Sequence, residues 1–218
     1  MKTLALLSQK GGSGKSTLTV HLGVIAQAAG LRTVILDLDP QRSAAGWWET
    51  RTVQTPEMVE TEPSELQAVL DAARADGVGL CVVDTRPSAG ADAATAAALA
   101  DLVLIPTRPA IFDLKAIGAT VDIVLAAHVR AFIVLNGTPA SRGFGEASTT
   151  ADARRALADY GLPVAPISIG LRATLAHALV DGRAVNEFDP ASKAAQEMTK
   201  LWQLTEMTLW PKDQRSAR

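Results

Sequence analysis

One cysteine in 218 residues, Cys81, excludes an internal disulfide framework and any cluster that needs two cysteines per chain. It sits inside the apolar run Leu80–Val83, the place of a small buried hydrophobe, and a reducing cytoplasm is its natural setting. Aromatic residues make up only 4%. The core must therefore come from Ala, Val and Leu within a hydrophobic fraction of 48%, a composition that suits helices packed on a parallel sheet. No apolar run approaches the roughly 18–20 residues that span a bilayer. Polar Ser8 to Lys10 interrupt the first run too early for a signal peptide, so a soluble cytoplasmic protein with no membrane partner is expected. Charge is balanced too: 21 Lys and Arg against 23 Asp and Glu give a net −2, so any DNA contact must use a local patch. The length suits one large domain, expected over 1–210, with a polar tail at 211–218.

What is present in force is the stretch Ser8-Gln9-Lys10-Gly11-Gly12-Ser13-Gly14-Lys15-Ser16-Thr17. It lies between an apolar run, Thr3–Leu7, and a segment with Leu18, Leu22, Ile25 and Ala29 at helical spacing, which predicts strand, loop and helix. Glycines let the backbone curl so that successive N–H groups face an anion, and the following helix adds the positive end of its dipole. In such a cradle Lys15 reaches the β- and γ-phosphates of a nucleotide and the Ser16 hydroxyl ligates Mg²⁺. Gln9 stands where the strict phosphate-loop pattern has its first glycine, and an additional lysine, Lys10, precedes the glycines.

Carboxylates gather at the ends of two further predicted strands. Thr33–Leu38 closes on Asp37-Leu38-Asp39-Pro40-Gln41, where two acids two residues apart face one edge and call for a cation. The run Leu80–Val83 ends in Asp84, in position to hold Mg²⁺ through water. Elsewhere, helices are expected over 42–51 (Trp47 and Trp48), from Ser64, and over 91–100, 114–128, 147–160, 171–179 and 190–209. Strands are expected at 102–105, 131–135 and 164–167, with a loop or weak edge strand within 53–63. Asn136-Gly137 follows a strand, where Asn136 suits either an adenine contact or a plain turn. His21, His128 and His177 form no nucleophilic arrangement and read as structural or surface residues. The alternation argues for a single doubly wound, mostly parallel α/β sheet with its site at the strands' carboxyl ends.

Taken together, K-G-G-S-G-K-S, D-L-D-P-Q, the strand ending at Asp84 and L-I-P-T-R-P with Asp113 resemble the deviant Walker A ATPases of the ParA/MinD group, in their short ParA form. The resemblance implies that Lys10 reaches across a dimer interface to the partner's nucleotide and that Asp39 positions or activates the attacking water. It places Asp37 near the magnesium shell. It further implies an ATP-induced homodimer that binds DNA without sequence preference, associates with the nucleoid, and is released when a ParB- or ParG-like centromere-binding or cargo-adaptor protein stimulates hydrolysis. Arg172, Arg183, Lys193 and Lys200 are the candidate DNA contacts, Arg172 lying where similar proteins carry a DNA-contacting arginine. Two alternatives are a MinD-like membrane-cycling ATPase and a metabolic ATP-dependent enzyme. The first would want a basic amphipathic C-terminal helix, yet 193–210 holds only Lys193 and Lys200 as basic residues and its stripe Ala194, Met198, Leu201, Trp202 and Thr205 reads as core.

Overall fold

A computed structural model describes residues 1–87, 90–140 and 145–211. Among them, seven strands lie side by side: β1 (Lys2–Leu6), β2 (Thr33–Asp37), β3 (Glu57–Glu60), β4 (Leu80–Asp84), β5 (Leu102–Thr107), β6 (Ala131–Thr138) and β7 (Ile169–Gly170). Every neighbouring pair is parallel and the order is β3-β2-β4-β1-β5-β6-β7. The connecting helices are α1 (Lys15–Ala28), α2 (Ser43–Glu49), α3 (Leu66–Ala75), α4 (Ala91–Leu99), α5 (Ile111–Ala116), α6 (Gly118–Ala126), α7 (Ser148–Leu157), α8 (Ala173–Val180), α9 (Val185–Phe188) and α10 (Lys193–Leu209).

The central strands are buried on both faces, which is why they read as unbroken apolar runs rather than as alternating ones. Alternate residues then serve opposite layers. Leu4, Leu6, Leu80, Val82, Leu102 and Leu104 meet Leu18 and Leu22 of α1 and Met198, Leu201 and Trp202 of α10. Ala5, Cys81, Val83, Val103 and Ile105 meet Leu66 and Leu70 of α3, Ala93 and Ala97 of α4, and Val121 and Val124 of α6. Each fully buried Leu or Val contributes roughly 1.5–3 kcal/mol, so a one-residue slip in any central strand would be prohibitive. That rigidity fixes the site. The register pairs Leu6 with Asp84 and Asp84 with Asp37, so three strand ends form a row at the carboxyl edge, with the Ser8–Gly14 loop leaving the first.

Several expectations shift. The strand expected at 164–167 makes one isolated bridge, Val164 to Ile133, and regular pairing resumes only at β7. Pro163 precedes the segment and Pro166 lies within it, and neither has an N–H to give to a ladder. The helix expected over 114–128 starts at Ile111 and is divided at Ile117, ahead of Gly118, into α5 and α6. The weak edge strand is real, as β3. α9, too short for periodicity to reveal, is held by Arg51, which donates both to the Glu187 carboxylate and to the Gly182 carbonyl. The α10 stripe is buried, as expected of core. Of the tail expected at 211–218, residues 212–218 lie outside the described residues. No helix among the described residues is long and apolar enough to cross a membrane.

Candidate nucleotide-binding site

The loop between β1 and α1 turns on two glycines in the left-handed region, Gly12 at φ 70° and Gly14 at φ 100°, a conformation that side chains with a Cβ resist. Gly14 is also the N-cap of α1, and its carbonyl accepts the Leu18 N–H at 2.9 Å, so the helix begins directly beneath the loop. No acidic side chain occupies the first turn of α1 to neutralise its positive end. Among the described residues, the Ser13 and Gly14 N–H groups have no hydrogen-bond partner, and neither has the buried Ser13 hydroxyl. A cavity of about 400 Å³ opens here. Gly12, Gly14, Lys15, Ser16 and Thr17 form its floor, with Asp39 and Pro87 among its walls.

Lys15 is 5% exposed and makes no ion pair within 4 Å among the described residues. Burial pulls its pKa down, while Asp84 and then Asp39 pull it back up. Asp84 is fully buried and neither of its oxygens has a hydrogen-bond partner. Burial pushes its pKa up to about 7; the nearby Ser16 hydroxyl, which closes no hydrogen bond to it, and Lys15 favour the charged form, and Asp37 and Asp39 oppose it. An orphaned buried carboxylate beside a hydroxyl is costly unless a cation completes it. Ser16 and Asp84 are thus the pair suited to hold a magnesium ion beside the phosphates of a nucleotide.

Two expected site residues, Asp37 and Asn136, make hydrogen bonds within the chain that their motifs did not announce. Asp37 sits in the row, but its Oδ1 accepts the Asp39 N–H at 2.9 Å and its Oδ2 accepts Ala44 and Ala45 N–H at 3.1 and 3.0 Å. Its carboxylate caps the first turn of α2 from a distance and fixes the Asp39 loop. Burial raises its pKa against those three donors. Asn136 bonds the loop's backbone: its amide donates to the Ser13 carbonyl at 2.7 Å. Asp39 does face the cavity, with one carboxylate oxygen accepting the Gln41 N–H at 3.0 Å. Lys10 is exposed on the rim without a carboxylate within 4 Å among the described residues.

The four candidate DNA contacts do not form one patch. Arg172, Lys193 and Lys200 line a second cavity, of about 540 Å³, at the outer end of β6 and β7. Arg172 is committed there to a two-pronged contact with Glu197, whereas the two lysines make no ion pair among the described residues. Arg183 lies apart, paired with Asp181 and stacked on Phe188 at 4.8 Å. The proline-bracketed turn Pro106–Pro109 belongs to the motifs that carry the resemblance, but sequence reasoning gave Arg108 itself no role; it donates to the Gly12 carbonyl.

A parallel sheet whose first strand opens into a glycine cradle, with a buried lysine and an orphaned carboxylate beneath it, defines a P-loop nucleotide-binding protein. The profile described as "CobQ/CobB/MinD/ParA nucleotide binding domain" matches residues 4–185, and the chain belongs to that family. The "Maintenance of carboxysome distribution protein A" of Gloeobacter kilaueensis is 35% identical over 167 residues, 74% of this chain and 73% of the relative. "Protein IncC" of Escherichia coli is 28% identical, over 92% of this chain and 68% of its own. Among solved structures, a Cyanothece McdA–ATP complex shares the fold at TM-score 0.73 and 17% identity, covering 96% of both chains. The cell division ATPase MinD of Pyrococcus furiosus does so at TM-score 0.72 and 19% identity, over 94% of this chain and 98% of that one.

Proposed function

We propose that this chain is an ATP-dependent partition ATPase of the ParA type. Magnesium-ATP occupies the β1–α1 cradle, with Lys15 on the β- and γ-phosphates and Ser16 and Asp84 holding the metal. Asp39, on a loop that Asp37 fixes, positions the attacking water. Lys10, exposed and free of a counter-charge, reaches the nucleotide of a second copy, so that ATP joins two subunits and ADP does not. The joined pair binds DNA without sequence preference through the Lys193 and Lys200 side of each subunit. A centromere-binding or cargo-adaptor protein of the ParB or ParG kind stimulates hydrolysis and releases it, moving a plasmid, chromosome or other cargo. The observation that carries this reading is the fully buried Asp84 carboxylate, with no hydrogen-bond partner, beside Ser16 and Lys15.

Nucleotide-dependent DNA binding is the discriminating property. Each subunit offers only a few phosphate contacts, and log K falls with log salt concentration by about 0.9 per contact, so joining two subunits gives steep salt dependence together with a gain in affinity. Gel shifts on unrelated duplexes, run with ATP and with ADP across a salt series, are expected to show binding with ATP alone and loss of it in a Lys193→Glu, Lys200→Glu variant. Binding that ignores the nucleotide, or survives both reversals, contradicts the proposal.

A further inference from the structure

Two side chains that no phosphate-loop motif contains hold the loop from outside. Arg108, in the turn after β5, donates a guanidinium N–H to the Gly12 carbonyl, and Asn136, on β6, donates its amide to the Ser13 carbonyl at 2.7 Å. The carbonyls are consecutive. In a planar trans peptide the C=O and the following N–H point in opposite directions, so drawing the Gly12 and Ser13 carbonyls outward turns the Ser13 and Gly14 N–H groups the other way. Those are the two loop N–H groups noted above as lacking a partner. The glycines agree with this arrangement. A Cβ on Gly12 would fall on the Arg108 guanidinium and one on Gly14 would fall on the Asn136 amide. A side chain at either position would therefore have to displace a bracing group, in addition to the strain of the positive φ. Arg108 makes no ion pair among the described residues, so its charge is not neutralised by a carboxylate and adds to the positive field of the loop.

We propose that Arg108 and Asn136 are positioning residues that pre-organise the phosphate loop, fixing the Ser13 and Gly14 N–H groups toward a bound nucleotide's phosphates. This rests on the nucleotide-binding reading above. A donor held in place before binding loses no freedom on binding, and a hydrogen bond to a charged phosphate is a strong one. Removing either brace should weaken magnesium-ADP and a non-hydrolysable magnesium-ATP analogue alike, by about tenfold, with little change in the thermal midpoint of the nucleotide-free protein.

Titration calorimetry with both nucleotides on wild type, Arg108→Ala, Arg108→Lys, Asn136→Ala, Gly12→Ala and the Gly12→Ala, Arg108→Ala double variant tests it. The expected pattern is weakened binding in both alanine variants and partial recovery in Arg108→Lys, which keeps a donor. Gly12→Ala should also do less damage in the Arg108→Ala background than alone, because the displaced guanidinium is then gone and only the φ penalty remains. Unchanged affinity in Arg108→Ala or Asn136→Ala, additive losses in the double variant, or a weakening matched by a fall in the nucleotide-free midpoint would each overturn the brace. Failure of the wild type to bind either nucleotide would instead overturn the reading beneath it.

Discussion

At the residue scale, chemistry and binding separate. In the proposed site Lys15 meets the phosphates directly, so Lys15→Ala should abolish nucleotide binding in an equilibrium titration. Asp39 is proposed to act on water and not on the bound nucleotide, so Asp39→Ala should keep affinity within a few-fold while turnover falls by about a hundredfold or more. Normal hydrolysis by that variant would move the role to another carboxylate. Two buried groups also make opposite contributions to stability against pH. Asp84 titrates at about 7, above the ordinary carboxylate value, so the nucleotide-free fold binds an extra proton and loses stability as pH rises from about 4 to 7. His21 is fully buried, accepts the Val185 N–H, and burial lowers its pKa to about 4, so its contribution is lost in the other direction, as pH falls from about 6.5 to 4. Asp84→Asn removes only the first. In urea denaturation without nucleotide, the variant should gain on wild type with rising pH, by up to roughly 1.4 kcal/mol per unit between pH 4 and 7. Parallel profiles would mean that Asp84 is not held protonated.

At the scale of elements, what was legible follows from burial. β1, β2, β4, β5 and the start of β6 declare themselves because both faces are covered, and α10 because Met198, Leu201 and Trp202 recur at helical spacing and are all buried. Met198→Ala should cost about 2–5 kcal/mol and show in the thermal midpoint, while the ATP analogue still binds. What was not legible depends on partners distant in sequence. That Asp37 caps α2 was not legible, since a strand-end carboxylate reads the same with or without a cap; the Ala44 and Ala45 N–H distances reveal it. Asp37→Ala is therefore expected to destabilise the fold and loosen the Asp39 loop, lowering turnover more than nucleotide affinity. The Arg108 and Asn136 contacts were hidden for the same reason: they lie 96 and 123 residues from the carbonyls they hold.

At the scale of the whole molecule, the rim of the phosphate loop is the surface to watch. Exposed Lys10 and Arg108 stand there without carboxylate partners among the described residues, and Ile111 and Phe112, 64% and 73% exposed, follow Arg108 closely in the chain. Uncompensated cations beside apolar side chains suit a surface that meets bound phosphate and a second subunit. The most direct measurement is multi-angle light scattering of the purified chain with a non-hydrolysable ATP analogue and magnesium, with ADP, and with the Lys10→Ala variant. ATP as the joining element predicts twice the 22.8 kDa chain mass with the analogue and the single mass with ADP and in the variant. A single mass for wild type under both nucleotides, or an equally dimeric Lys10→Ala protein, would contradict it.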